Sequence, residues 1–284
     1  MDTIDIMIVV VICVIVLELV SLCPFPLPLP IEGFAGFDLN GGPPPFDVME
    51  AASDHTDMTP DVDDDGRDIP WITSWSAADK RARRGHNCNP TYKQLGPDNT
   101  VIYTTTKSCE DGMPHTRIGG RIYIPDNNST VVRDEIIRHE LIHVEQRRNP
   151  TLWTDFYRRS WSFILYTSPP PGLPQNIIDA KRSNPDTWDP AMGGQWACWQ
   201  GRWWPIAIYR DAFNPRLRDV NIVFWDAWKQ EAYSQAPQDW FSFFGTPNQT
   251  EHPHELSACY IVSGDTQSEA GRRLLTWRQS RPPK

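Results

Sequence analysis

From Val131 to Arg148 the chain reads VVRDEIIRHELIHVEQRR, with neither glycine nor proline until Asn149 and Pro150. The candidate N-caps of the preceding PDNNST and the closing NP bound a helix of about five turns. Asp134 and Glu135 lie near its start and Arg147 and Arg148 at its end, the signs that the helix dipole favours. At 100° per residue, Val132, Ile136, His143 and Gln146 fall within about 60° of His139, and Ile142 lies at a similar angle on the other side. Ile137, Leu141 and Val144 gather opposite, and Asp134, Arg138 and Glu145 form a narrow charged stripe between them. A helix that is apolar on two faces must be packed on both. The segment is therefore predicted to be central, with both histidines on a buried face.

Histidines at i and i+4 present two ring nitrogens to one point, the spacing that a tetrahedral zinc ion needs from a single rigid element. Glu140 lies about 100° from His139 and about 60° from His143, beside the expected ligand set and not in it. A carboxylate there can serve as general base toward water activated by the ion, and can hand the proton on to a leaving amine. Two buried imidazoles without a metal would need other partners for their ring nitrogens. Zinc is therefore the preferred reading, with His139 and His143 as ligands and Glu140 as the catalytic residue.

HELIHVEQ resembles the active-site helix of the zincin metallopeptidases, and its trailing glutamine is similar to a His-Glu-x-x-His-x-x-Gln pattern of gluzincin-like sequences. The resemblance implies an α+β, zincin-like domain with the active-site helix packed on a small mixed sheet. It also implies a Zn2+ cofactor and a peptide or protein substrate. An edge strand, here GGRIYIP, would line the cleft and pair with an extended peptide. In gluzincins the third ligand is a glutamate on a later helix. HPHELSACY is similar to the Pro-x-Glu-x-x-Ala segment found there, which makes Glu255 the preferred third ligand; WKQEAYSQ offers Glu231 as the alternative. The span from His143 to Glu255 is longer than in small members, which an insertion containing the tryptophan-rich region would explain. HVEQRRNP lacks the Gly-x-x-His continuation of a metzincin. Gln146 is a candidate partner for an imidazole, and Tyr233, Tyr260, His252 and His254 are candidates to stabilise an oxyanion.

The ends of the chain read differently. Residues 1–23 contain an unbroken apolar run from Ile6 to Leu17, read as an N-terminal membrane anchor of a single-pass protein. A cleaved signal peptide is the rival, but the segment before the run is acidic and no small-x-small site precedes CPFPLPLP. Residues 24–70 are rich in proline and then aspartate, and are read as a disordered linker. DVDDDG there lacks the downstream glutamate of a calcium loop. The formal charge of -9 comes largely from this linker, so nucleic acid is not an expected partner.

Residues 71–284 are enough for a substantial core, and the 13 tryptophans lie there. Cys88, Cys109, Cys198 and Cys259 lack finger spacing; the preferred pairing is Cys88 with Cys109. With sequons at Asn127, Asn128 and Asn248, this favours a lumenal or extracellular domain.

Trp71 to Asn99 reads as irregular, and TVIYTTT and GGRIYIP as strands joined by a long hairpin connection. TLWTDFYRRSWSFILY is expected to form a second helix, DVNIVFWDAWKQEAYSQA a third and HPHELSACYIVSG a fourth, with Pro253 in its first turn and Gly264 as its stop. The function expected is that of a membrane-tethered zinc metallopeptidase. An inactive zincin-fold scaffold and a tryptophan-rich carbohydrate-binding ectodomain are the alternatives.

Overall fold

The helix expected at 131–148 runs from Thr130 to Arg148 (here α3), and both apolar faces are used. Val144, with Ile137 and Leu141, packs on Ile102, Ile122 and Ile124 of a four-stranded sheet. Ile142 faces the other way, into a larger aromatic core. A computed structural model describes residues 69–126, 130–247 and 249–281, all within one compact unit. It is a mixed α+β arrangement with two sheets. The segment 1–23 and the linker 24–70, except for its last two residues, lie outside the described residues, as do Asn127, Asn128 and Asn248 of the sequons. Among the described residues no helix is long and apolar enough to cross a membrane, and the expectation of a single-pass transmembrane helix is corrected to that extent.

The small sheet has the order β1-β2-β4-β3, from Tyr92–Leu95, Val101–Thr105, Arg121–Pro125 and His115–Arg117. The β2 and β4 strands were expected to form a hairpin but are parallel, with Ile102 opposite Ile122. Their connection is not one long turn. It holds a short 3-10 segment, Cys109–Gly112, in which Glu110 and Asp111 have positive φ, and then β3, antiparallel to β4. Consequently β4 is an interior strand, and β3, not GGRIYIP, forms the edge. The segment expected to be irregular contains helices α1 (Ile69–Thr73) and α2 (Ala77–Ala82) besides β1. A disulfide joins Cys88 to Cys109.

Helix α4, Pro150–Trp161, ends at Ser162, whose φ of 59° is left-handed. The β-prone FILY that follows is not helical but forms strand β5 (Phe163–Tyr166), which opens an antiparallel meander β5-β6-β7-β8-β9. Its further strands are Trp196–Trp199, Trp203–Tyr209, Val220–Asp226 and Glu231–Tyr233. The helix expected over 219–236 is thus a hairpin. Val220, Phe224 and Ala227 have helical spacing, but β-branched and aromatic residues pair with β7 along its full length. Asp226 turns the chain by accepting from the backbone N–H of Trp228 at 3.0 Å. Trp196, Trp199, Trp203, Trp204 and Trp225 are all buried in this sheet, so WQGRWWP offers no sugar-stacking platform.

Helices α5 (Gln175–Ala180), α6 (Gln238–Phe244), α7 (Pro253–Ser263) and α8 (Glu269–Gln279) complete the unit. The larger core joins Trp153, Phe156 and Trp161 of α4 to Phe163, Trp199, Phe224, Trp240, Phe244, Leu256 and Leu274. Each phenylalanine buried there contributes roughly 1.5–3 kcal/mol. That core fixes α7 against α3, the contact on which the site depends.

Candidate metal centre

On α3, His139 and His143 stand one turn apart with their Nε2 atoms 3.1 Å from each other. The third donor comes from α7. His252 caps this helix by accepting at Nδ1 from the backbone N–H of His254, Pro253 occupies its first turn, and Glu255 follows where the helix dipole favours a carboxylate. Glu255 Oε2 lies 3.3 Å from His139 Nε2 and 3.5 Å from His143 Nε2. A tetrahedral ion with bonds of about 2.0–2.1 Å holds its donors about 3.3–3.4 Å apart. The three donor atoms therefore form a triangle of the size that zinc requires. Glu231 is excluded from it: the residue is exposed on β9 and accepts from Tyr233 Oη at 2.6 Å.

The donor orientations are set from behind. Gln146 Nε2 is within hydrogen-bonding distance of the His254 carbonyl (3.1 Å), Ser257 Oγ (2.9 Å) and Tyr157 Oη (3.2 Å). A carbonyl can only accept, so the amide nitrogen is on that side and Oε1 faces His143. His143 Nδ1–H then donates to Gln146 Oε1 at 2.8 Å, which leaves the lone pair of Nε2 aimed at the triangle. Asn184 Nδ2 donates to Glu255 Oε1 at 2.7 Å and so directs Oε2 inward.

Glu140 is 3% exposed, and its Oε2 has no hydrogen-bond partner among the described residues. Facing it is Asp186, which with Glu140 and His143 brings three ligand atoms within 4.8 Å of one another. Asp186 Oδ1 accepts from Thr116 Oγ1 (3.0 Å) and from the Thr116 N–H. That N–H lies on the outer edge of β3, so this part of the edge is occupied by a side chain.

Burial pushes the Glu140 carboxyl well above its ordinary range, and the charge of Asp186 adds to the rise. Burial alone would also raise Glu255, but the two imidazoles outweigh it and hold its carboxyl well below the usual range. For His143 burial works downward, yet Glu255 and Asp186 prevail and lift it to about 10. Buried anionic oxygens thus favour positive charge at the centre of the triangle, which a proton on His143 Nε2 supplies in the metal-free chain. A divalent cation meets that requirement.

The loop that supplies Asn184 and Asp186 was not identified from sequence. It carries no periodic pattern, and its only local signal is the turn-forming SNPD. Long-range bonds hold it. Arg83 of the α2 C-terminus donates from Nη2 to the Ser183 carbonyl at 2.7 Å, and Arg147 of α3 donates from Nη2 to the Pro185 carbonyl at 2.6 Å.

The four oxyanion candidates are engaged elsewhere. Tyr260 Oη donates to the Phe244 carbonyl, Tyr233 to Glu231, and His252 Nε2 to the Gly194 carbonyl; the buried ring of His254 packs on Tyr157, behind the donor triangle, with its Nδ1 unpartnered among the described residues. The open side of the triangle faces a cavity of about 720 Å³ bordered by His139, Glu140, Asp186 and Glu255 together with His115 and Arg182. A second cavity, of about 750 Å³, meets it at Glu135, His139 and Val262. No protein-family model matches the chain, and neither curated proteins nor solved structures give a match.

Proposed function

We propose that the chain is a zinc-dependent peptidase with a zincin-like domain, in which His139, His143 and Glu255 would hold the ion. The observation that carries this reading is the donor triangle with edges of 3.1, 3.3 and 3.5 Å. When bound, zinc polarises a carbonyl and lowers the pKa of water toward ~7.

The protein's own groups supply the rest. Burial favours the neutral form of Glu140, but the charge of the bound ion would restore its carboxylate, which lies at the cavity wall and could then take up the proton of the attacking water and return it to the leaving amine. Asp186, anchored on Thr116, stands beside that carboxyl, with ligand atoms of the two and of His143 within 4.8 Å of one another. Gln146 holds His143 in the tautomer that presents Nε2, and Asn184 fixes the rotamer of Glu255. A purely structural zinc site has four protein donors and is closed; here His139 is 20% exposed and the triangle opens on a cavity, which supports catalysis over scaffolding. Peptide as the substrate class rests on the likeness of HELIHVEQ to the zincin helix. The Cys88–Cys109 disulfide supports an oxidising compartment for the domain.

Two measurements on the purified full chain test the reading. Metal analysis is expected to find about one zinc per chain in the wild type and a large loss in His139→Ala. Cleavage of a random peptide library is expected to fall by at least about 100-fold in Glu140→Gln at unchanged metal content. Equal cleavage by the two proteins would remove the catalytic role.

A further inference from the structure

We propose that Arg182 forms a carboxylate-binding subsite beside the metal centre, so that the favoured substrates are peptides bearing a carboxylate close to the reacting bond. The source of that carboxylate is either an acidic side chain or a free C-terminus. This inference rests on the peptidase reading and specifies the substrate of the same site.

Arg182 borders the cavity shared with His139, Glu140 and Glu255, two residues before the Asn184 that orients Glu255. Its backbone is fixed, with the N–H donating to the Ala207 carbonyl at 2.8 Å. Its guanidinium is not satisfied. Nη2 reaches Met113 Sδ at 3.6 Å, a weak acceptor, and the buried Nε has no hydrogen-bond partner among the described residues.

Buried Arg117 donates from Nε to His115 Nε2, and two other buried guanidinium groups have carboxylate partners. Arg83 is held by Asp79 and Glu110, and Arg147 by Asp189. Glu110 also borders the cavity, but both of its oxygens accept from Arg83 Nε. No carboxylate among the described residues forms an ion pair with Arg182. A half-buried cation with unused donors is costly to keep, and a planar fork of N–H groups is the geometry that binds a carboxylate through two parallel bonds.

Two further features point the same way. Arg218 borders this cavity as well and spends Nε and Nη2 on a neutral acceptor, the Asp111 carbonyl, at 3.0 and 2.7 Å, so its charge too is not spent on a carboxylate there. The cavity on the other side of His139 has neither arginine nor lysine in its wall and includes Phe241, Pro247 and Val262. Carboxylates line the first cavity too, Glu110, Glu135 and Glu251 among them, but its two arginines are the only arginine or lysine side chains in either wall, so a peptide crossing the donor triangle would meet a guanidinium on that side alone, which sets its direction.

Binding, not turnover, tests the subsite. The purified Glu140→Gln full chain is titrated calorimetrically with acetyl-Ala-Leu-Ala-Gln-amide, with its glutamate counterpart and with the free acid of the first peptide. At least one of the two carboxylate peptides is expected to bind about tenfold more tightly than the neutral amide, and the stronger of them identifies the source. Arg182→Met in the same background is expected to erase the difference and leave affinity for the neutral peptide unchanged, while Arg182→Lys retains part of it. Among the described residues the sulfur contact is the only hydrogen bond of the Arg182 side chain, so the variants should fold; equal far-UV spectra check this. Equal affinity for the three peptides overturns the subsite, and so does a preference that survives Arg182→Met, which would signal carboxylate binding elsewhere. An Arg182-dependent preference in a protein whose wild type cleaves no peptide would instead overturn the peptidase reading and leave the subsite standing.

Discussion

Replacing Gln146 with leucine tests whether the tautomer of His143 is imposed from behind. The two side chains are similar in size, so the change is mainly the loss of an amide. Of the groups that face the Gln146 amide, the three at Nε2 keep a partner: Ser257 Oγ still donates to the His254 carbonyl at 2.9 Å and still meets Tyr157 Oη at 2.8 Å. One group does not. His143 Nδ1–H, on a fully buried side chain, loses its acceptor. An orphaned buried donor costs about 1–3 kcal/mol, and the ring can escape that cost only by turning or moving its proton, either of which removes Nε2 from the triangle.

The expected result for Gln146→Leu is therefore a 10- to 100-fold loss of zinc affinity, the usual range for groups behind a metal-bound histidine. Competition with a chromophoric chelator measures this. Urea denaturation of the chelated protein is expected to show a loss of about 1–3 kcal/mol. Gln146→Glu restores an acceptor for His143 Nδ1–H and is expected to recover most of the affinity. A folded Gln146→Leu protein that binds zinc as tightly as wild type would refute the assignment.

Two other expectations concern stability. Joining residues 21 apart, the Cys88–Cys109 bond should stabilise by about 3 kcal/mol through the entropy of the unfolded chain, so Cys88→Ala combined with Cys109→Ala should lower the urea-derived free energy by about that much; an unchanged midpoint would count against it. Burial and the neighbouring Arg117 push His115 down to about 3, and Arg117 Nε donates to its Nε2 at 3.1 Å. The unfolded chain takes up this proton near pH 6.5 and so binds more protons across the interval; the contribution of His115 is complete above about 6.5 and is lost as pH falls toward 3. The slope of melting temperature against pH in that window should flatten in His115→Gln, and an unaltered slope would sink the idea.

Much of the site's near geometry could be read from the chain. The α3 helix, its two packed faces and the pairing of His139 with His143 depend on residues within a turn of one another, and so does the capped start of α7 with Pro253 and Glu255. Where the reading failed, distant partners had overridden local preference. The stretch carrying Glu231 has helical spacing but pairs with β7, and GGRIYIP is an interior strand because β3 lies outside it. The irregular SNPD loop gave no sign of Asn184 or Asp186, since bonds from Arg83 and Arg147 hold it.

By itself, then, the sequence determined one helical turn with two imidazoles and an adjacent carboxylate, because an α-helix sets those relations through its own period. Only the tertiary structure decided that Glu255 meets them across 116 residues, that Asn184 orients its carboxylate and Asp186 stands beside Glu140, and that Arg182 borders the cavity without an ion-paired carboxylate among the described residues. Those relations come from the packing of α7 and a loop against α3, and no local pattern encodes a contact between segments that meet only when the core closes.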